Sequence, residues 1–207
     1  WQLAMTVLGN GLYHAKHYED ALSVKETELS MRRRLGASEE NILAAQGNLA
    51  SAYQGLGRHE EALRLRRDVY SGTLKLCGEE HEATLRDAFN YASTLGRLER
   101  YAEAKSLLRN TMPVGRRVLG AAHEFTIKMS WIYAKALYAN PAATLDELRE
   151  AVTTLEETEG TARRVFGAAH PTVMDIQHGL QTARELLAAR EALREAKAAE
   201  AITPGDA

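Results

Sequence analysis

Apolar residues recur along this chain at intervals of three or four, which is the spacing of helix faces, and no stretch alternates as a β-strand would. The apolar face of one predicted helix is Leu49, Ala50, Tyr53 and Leu56. The face of the next helix is Ala62, Leu63, Leu65 and Val69. Gly57 lies in the turn between them, and glycine accepts the left-handed conformation that commonly ends a helix. The pattern therefore predicts helical hairpins.

The hairpin pattern repeats with a nearly fixed period. Loop glycines stand at positions 36, 78, 120 and 167, so they are 42, 42 and 47 residues apart. Apolar residues keep the same register, since Ala50 maps to Ala92 and then to Ala134. A period in this range is typical of architectures in which one helical unit stacks on the next. The sequence predicts an all-α α-solenoid of about four hairpins, a class that usually binds other molecules rather than catalysing reactions.

The register divides the chain into predicted repeat units. They are residues 1–36, 41–78, 82–120 and 124–167, followed by a capping helix over 171–200 and a frayed tail over 201–207. We expect residues 1–200 to form a single solenoid domain. The final helix is rich in alanine and charge, as expected where the open end of a stack must be covered. The sequence begins with Trp1 rather than methionine, so we expect it to start inside a longer polypeptide.

Two departures from the repeat carry structural expectations. The 47-residue interval places five extra residues around Asn140–Ala143, which we expect to form a protruding turn. The segment Thr144–Glu147 reads as a capping box that begins a lengthened helix. Pro113 lies inside the second helix of the third unit, where it removes a backbone hydrogen bond and predicts a kink.

Composition narrows the classes of function. The formal net charge of −2 and the pI near 6.4 give no general case for binding nucleic acid or an anionic membrane. No apolar run approaches the ~20 residues that cross a bilayer, so we expect a soluble protein. Cys77 is the single cysteine, which excludes an internal disulfide and favours a reducing, intracellular compartment. We expect a cytoplasmic protein by default, with an organelle left open because the sequence starts without methionine.

Candidate catalytic and metal-binding residues carry structural interpretations. His81, His123 and His170 belong to three different units, about one repeat apart, so they cannot converge on one metal ion. We expect each of them to close the loop that precedes a helix. The acidic pair Glu60–Glu61 lies at an exposed turn, and Cys77 has no histidine partner. We therefore predict no metal, no cofactor and no enzyme activity.

The repeat resembles the tetratricopeptide repeat, and specifically its kinesin-light-chain type. The matching motif of the second unit is Asn48-Leu49-Ala50-Ser51-Ala52-Tyr53 followed by Gly57-Arg58-His59-Glu60-Glu61-Ala62. The third unit matches at Asn90-Tyr91-Ala92, Arg100-Tyr101-Ala102-Glu103-Ala104 and Leu119-Gly120-Ala121-Ala122-His123. The resemblance spans roughly residues 1–175, with the texture of the kinesin-light-chain-like proteins abundant in unicellular algae. It implies a right-handed solenoid, but no heptad coiled coil matches, so we do not expect a motor subunit.

The resemblance also implies which residues contact a partner, because in this family the first helix of each unit lines a concave groove. Asparagines that hold a peptide backbone match Asn48 and Asn90, whereas Val7 and Ile132 stand at the corresponding positions of the first and fourth units. The other candidates are basic and aromatic residues of the same helices: Arg86, Phe89, Arg97, Lys128, Trp131, Lys135 and Tyr138. Basic groups beside aromatic rings suit an acidic segment with an aromatic or apolar anchor.

These residues also have structural interpretations. The asparagines would then bond across adjacent helices, and Phe89 and Trp131 would belong to the core between repeats. The leading prediction is a non-catalytic protein–protein interaction scaffold whose concave groove holds an extended, acidic peptide. The alternative is an architectural subunit of a large multi-protein assembly that uses its convex face, loops and ends. Neither prediction involves nucleic acid or insertion into a membrane.

Overall fold

The computed structural model describes the backbone of residues 2–202 and the side chains of residues 3–198. Within that range the chain forms nine α-helices and no strand, which confirms the all-α prediction. The helices are α1 (Gln2–His14), α2 (Tyr18–Arg34), α3 (Glu39–Gly55), α4 (His59–Cys77), α5 (Glu82–Arg97), α6 (Tyr101–Val118), α7 (Glu124–Tyr138), α8 (Leu145–Phe166) and α9 (Pro171–Ile202). The predicted frayed tail, 201–207, falls on residues whose side chains lie outside the described range.

The helices divide into two compact units between Val118 and Leu119. The first unit holds α1 to α6, the second holds α7 to α9, and within each unit every helix packs against the next one in the chain. We refer to the pairs α1–α2, α3–α4, α5–α6 and α7–α8 as hairpins 1 to 4. Packing in chain order is the arrangement of α-solenoid repeats. The assignment of residues 1–200 to a single domain stays a prediction.

Buried alanines mark the closest helix contacts. Second helices carry a fully buried alanine at one equivalent position of each hairpin, namely Ala21, Ala62, Ala104 and Ala151. First helices carry another such set, namely Ala50, Ala92 and Ala134. A side chain this small lets two helix backbones approach closely while larger residues interlock around it. Burial thus confirms the repeat register that the sequence predicts.

The loop histidines cap the helices that follow them. The Nδ1 atom of His81 accepts a hydrogen bond from the backbone amide of Ala83 at 3.2 Å. His123 and His170 make the same contact with the amides two residues ahead, at 3.3 and 3.2 Å. Each imidazole satisfies one of the amides that the first turn of a helix leaves without a partner. The predicted structural role of these histidines is confirmed.

The turn of hairpin 4 differs from its sister turns. It contains the predicted capping box, in which the Thr144 hydroxyl accepts from the Glu147 amide at 3.2 Å and the Glu147 carboxylate accepts from the Thr144 amide at 2.8 Å. The guanidinium of Arg190 in α9 also donates to the carbonyls of Pro141 and Ala143, at 3.0 and 3.2 Å. Ala143 is buried. The turn that we expected to protrude is therefore hydrogen-bonded to α9.

Two further sequence predictions concern the helices α6 and α9. Helix α6 continues through Pro113 to Val118, and the predicted kink there stays a prediction. Helix α9 packs on α7 and α8 with its first half, where Val173, Ile176 and Ala183 are buried. Arg184 extends this contact by pairing with Glu156 of α8 at 2.6 Å. The first half of α9 thus covers the end of the second unit, as a capping helix does.

Candidate functional site

A groove of about 720 Å³ opens in the first compact unit. Helices α3, α4 and α5 line it. Three of the residues that the sequence predicts as partner contacts lie along this groove, namely Asn48, Arg86 and Asn90. The groove therefore brings together predicted residues from the first helices of hairpins 2 and 3.

The two asparagines offer hydrogen-bonding groups to the groove. Asn48 and Asn90 are half-buried, and within the described part of the chain neither side-chain amide bonds to another residue. The alternative in which these amides bond across adjacent helices is therefore not what the structure shows. Each amide leaves two N–H donors and one carbonyl acceptor available to a ligand.

Arg86 is held in place by a buried carboxylate. Its Nε donates to Oδ1 of Asp87 at 3.2 Å, and the hydroxyl of Thr73 donates to Oδ2 of the same carboxylate at 2.9 Å. Asp87 is buried, whereas about half of the Arg86 side chain remains exposed. Arg86 thus presents a partly oriented cation at the groove surface, and its charge is partly offset by Asp87.

The central cation of the groove is Arg66, which the sequence analysis did not select. Only 7% of its surface is exposed. Its Nη2 donates to the Ser51 hydroxyl at 2.7 Å, while its Nε is buried with no hydrogen-bond partner among the described residues. Burial lowers the pKa of the Arg66 guanidinium, and the negative charge of Asp87 partly opposes this shift. The described residues include no carboxylate that forms an ion pair with Arg66.

Carboxylates also reach one part of the groove lining. Glu40 and Glu82 line it from the first turns of α3 and α5. Carboxylates are favourable at these positions because the N-terminus of a helix carries partial positive charge. The groove therefore combines an arginine pair, Arg66 and Arg86, with acidic residues at the helix starts.

The other predicted residues of the first unit do not line this groove. Phe89 is half-buried on α5, and Arg97 is exposed at the last position of that helix. Both share α5 with Arg86 and Asn90 but lie away from the groove lining. Sequence reasoning therefore found part of the groove and missed Arg66, Ser51 and Asp87.

The predicted residues of the second unit share one face of α7. They are spaced by three and four residues and comprise Lys128, Trp131, Lys135 and Tyr138. Lys128 pairs with Glu124 one turn earlier, and Lys135 is exposed. The Tyr138 hydroxyl lies 3.1 Å from the point where a Cβ on Gly179 of α9 would stand. Tyr138 thus packs closely against α9, and Ile132, at the asparagine position of this repeat, is buried.

The described residues give no support for a metal site or for a membrane-spanning helix. The side chains of residues 3–198 include no group of three histidine, cysteine, aspartate or glutamate residues placed to hold a metal ion. Over the same part of the chain, every helix is too short or too polar to cross a membrane.

Comparisons with known proteins agree with this geometry. Residues 41–114 match the family model of the tetratricopeptide repeat. No curated protein matches the sequence. Among solved structures, the nearly identical TPR-like repeats of a Podosopora anserina protein described as a kinesin light chain superpose with a TM-score of 0.73 at 23% identity, covering 93% of this chain and 89% of that chain. BtubC (BKLC) from P. vanneervenii superposes with a TM-score of 0.66 at 15% identity, covering 98% and 82%.

Tetratricopeptide repeats are therefore shown for residues 41–114 of this chain. Its fold is that of kinesin-light-chain-like repeat structures, as the sequence resemblance implies. Stacked helical hairpins of this class build surfaces on which other proteins bind.

Proposed function

We propose that this chain is a non-catalytic protein-interaction scaffold and that its α3–α4–α5 groove holds an extended, acidic peptide segment. The observation that carries the proposal is the pair of unbonded asparagine amides, Asn48 and Asn90, placed one hairpin apart along a groove. An extended peptide exposes backbone N–H and C=O groups that must find partners when water is displaced. Asparagine side chains supply both kinds of partner without selecting a side chain.

The arginines of the groove favour acidic residues in the bound segment. Arg66 and Arg86 both line the groove, and a guanidinium binds a carboxylate through two parallel hydrogen bonds. Glu40 and Glu82 would repel acidic residues placed over the starts of α3 and α5. We therefore expect the acidic residues of a ligand to lie over the arginines, with neutral or basic residues over the helix starts.

The remaining predicted contacts extend this proposal beyond the groove. They are Phe89, Arg97, Lys128, Trp131, Lys135 and Tyr138. Lys135 and Arg97 are exposed enough to meet a ligand, whereas Tyr138 already packs against α9. Of this group, we expect the two exposed cations to contribute most to binding.

A pull-down followed by mass spectrometry tests the proposal. The baits are the parent chain, the double variant Asn48→Ala/Asn90→Ala, the reversal Arg86→Glu, and the control reversal Arg64→Glu on an exposed position of α4. We expect acidic clients to bind the parent and the control, and to be lost from the asparagine and Arg86 variants while helical content is kept. Clients that bind all four baits equally would refute the groove as the binding site.

A second function, that of an architectural subunit, has one observation in its favour. Helix α1 exposes three apolar side chains, Leu3, Val7 and Leu8, with 76%, 62% and 52% of their surfaces accessible. Apolar residues grouped on one exposed helix suit a permanent contact with a neighbouring subunit. Stoichiometric co-purification that survives high salt, and that is lost in the variant Leu3→Ser/Val7→Ser, would favour this function over the peptide groove.

A further inference from the structure

The four hairpins place different residues at one equivalent interior position. Four residues after each fully buried alanine of the second helices stand, in chain order, Lys25, Arg66, Leu108 and Leu155. All four are buried, and the two leucines are fully buried. Hairpins 3 and 4 thus fill this position with a leucine, whereas hairpins 1 and 2 bury a cation there.

The two cations differ in how well they are satisfied. The Lys25 Nζ donates to Oδ1 of Asn10 at 2.6 Å, and the charge of Glu28 acts on it favourably. Arg66 has five N–H groups, and its hydrogen bond within the described residues is the one to Ser51. Asp87, whose charge acts on Arg66, is already bonded to Thr73 and Arg86. Arg66 is therefore a buried cation with no direct counter-ion.

The guanidinium of Arg66 lies in the groove lining next to a residue that has no side chain. Gly47 on α3 lines the same groove, and a Cβ added at Gly47 would lie 3.8 Å from Nη1. The Ser51 hydroxyl, which accepts from Arg66, donates to the Gly47 carbonyl at 3.3 Å and so holds the guanidinium beside that glycine. A ligand atom in the groove can approach the guanidinium at this glycine.

We propose that Arg66 is a carboxylate-binding subsite, on which a glutamate or aspartate side chain of the bound segment docks. This subsite rests on the proposed peptide groove, and it identifies Arg66 as the residue that selects an acidic side chain of the peptide. An incoming carboxylate supplies the counter-ion that Arg66 lacks, and hydrogen bonds between two charged groups are stronger than neutral ones. Arg86 forms an ion pair with Asp87, which reduces the repulsion between the Asp87 carboxylate and a carboxylate of the ligand.

Two matched variants separate this subsite from general electrostatics. Arg66→Leu introduces the residue that hairpins 3 and 4 carry at the equivalent position, so the variant should fold. Arg64→Leu makes the same charge change at an exposed position two residues away. The probes are a capped fluorescent hexaglutamate peptide and its hexaglutamine match, and the readout is fluorescence anisotropy at low salt. We expect Arg66→Leu to weaken hexaglutamate binding by at least about tenfold, and Arg64→Leu to weaken it by less than about twofold.

The remaining outcomes separate failure of the subsite from failure of the groove. Undiminished hexaglutamate binding by Arg66→Leu, together with loss of binding by Asn48→Ala/Asn90→Ala, would overturn the subsite and leave the groove standing. Equal binding of hexaglutamate by the parent and all variants, or no binding by the parent, would overturn both. Equal affinity of the parent for hexaglutamine would overturn the carboxylate preference.

A spectroscopic readout on the parent chain does not depend on a variant binding assay. The Nε–H resonance of Arg66, assigned through bonds from the Arg66 backbone in the parent chain, should shift when hexaglutamate is added and stay in place with hexaglutamine. If the chemical shift of this resonance did not change with hexaglutamate, the proposal would be overturned even if Arg66→Leu failed to fold.

Discussion

Hairpins 1 and 2 differ from hairpins 3 and 4 in what their second helices bury. Helix α2 buries Lys25 and Glu28, and helix α4 buries Arg66, whereas the equivalents of the two cations in α6 and α8 are fully buried leucines. The Glu28 carboxylate accepts two hydrogen bonds from Arg32, at 2.6 and 2.9 Å. The same helical hairpin thus forms around either a polar or an apolar interior position.

This difference shows that a hairpin can form with a leucine at this position. Removing charge from an interior by substituting a hydrophobic residue of similar size is often neutral or stabilising, because burying an ion is costly. Leucine fills this position in two hairpins, and Arg66 fills it in a third. A binding function can therefore have been added at this position without loss of the fold.

The largest effect is expected when the cation is moved to hairpin 4. Leu155 is fully buried in α8, so Leu155→Arg places a charge at an interior position. An uncompensated buried charge costs about 3–5 kcal/mol or forces the helix to shift. The control variant is Leu155→Met, which changes the shape of the side chain without adding a charge. Its free energy of unfolding, measured with denaturant, should fall by less than about 1.5 kcal/mol. If Leu155→Arg unfolds at the same denaturant concentration as the parent, the hairpins do not differ at this position.

A smaller and more uniform effect is expected at the buried alanines of the first helices in hairpins 2 to 4. Ala92 and Ala134 are fully buried in first helices of the two compact units. Ala92→Leu and Ala134→Leu should each cost about 1–3 kcal/mol, because a larger side chain forces closely packed helices apart. Thermal melts measure the loss, and the exposed Ala102→Leu should stay within about 0.5 kcal/mol of the parent. Markedly unequal losses at the two alanines would show that the units do not share this contact.

The fold could be predicted because its signals repeat. The buried alanines and the loop histidines recur in register, so a weak local pattern gains strength from each copy. The capping box at Thr144 is likewise readable from neighbouring residues alone. By contrast, the bonds from Arg190 to the hairpin 4 turn join residues 47 and 49 positions apart, and no local rule indicates such a contact.

The groove could be predicted only in part, for a related reason. Asn48, Arg86 and Asn90 were found because the family resemblance points to first helices. Arg66 was missed because an arginine on a helix usually marks the solvent face, and its burial depends on how three helices come together. Leu108 and Leu155 stand at the same place in the repeat register, and comparison with them could have indicated that Arg66 is interior.

The next prediction concerns the stability of Arg66→Leu, independent of any ligand. The Ser51 hydroxyl keeps its bond to the Gly47 carbonyl, and Asp87 keeps Thr73 and Arg86, so the substitution leaves no buried polar group without a partner. We expect the free energy of unfolding to rise by about 1 kcal/mol, measured by guanidinium unfolding. A loss of more than 1 kcal/mol relative to the parent would show that Arg66 stabilises the hairpin instead of serving a ligand.

The smallest effect is the pH dependence that Lys25 confers on hairpin 1. Burial lowers the pKa of Lys25, although the charge of Glu28 opposes the shift. Between this lowered pKa and the ordinary lysine value of about 10.4, the unfolded chain binds more protons than the folded one, so the contribution of Lys25 to stability rises with pH. Below its pKa in the folded state, the full cost of burying the charged amine returns.

Lys25→Met isolates this contribution because it keeps an unbranched side chain, one atom shorter, and removes the titrating group. Urea unfolding of both proteins at pH 8, 9 and 10 gives the difference in their free energies of unfolding. We expect the parent to gain stability relative to Lys25→Met as the pH rises across this series. A difference that stays constant, or that moves in favour of Lys25→Met, would mean that the bond to Asn10 and the charge of Glu28 fully compensate the burial of Lys25. In that case Arg66 would be the only one of the two cations to bear an uncompensated cost.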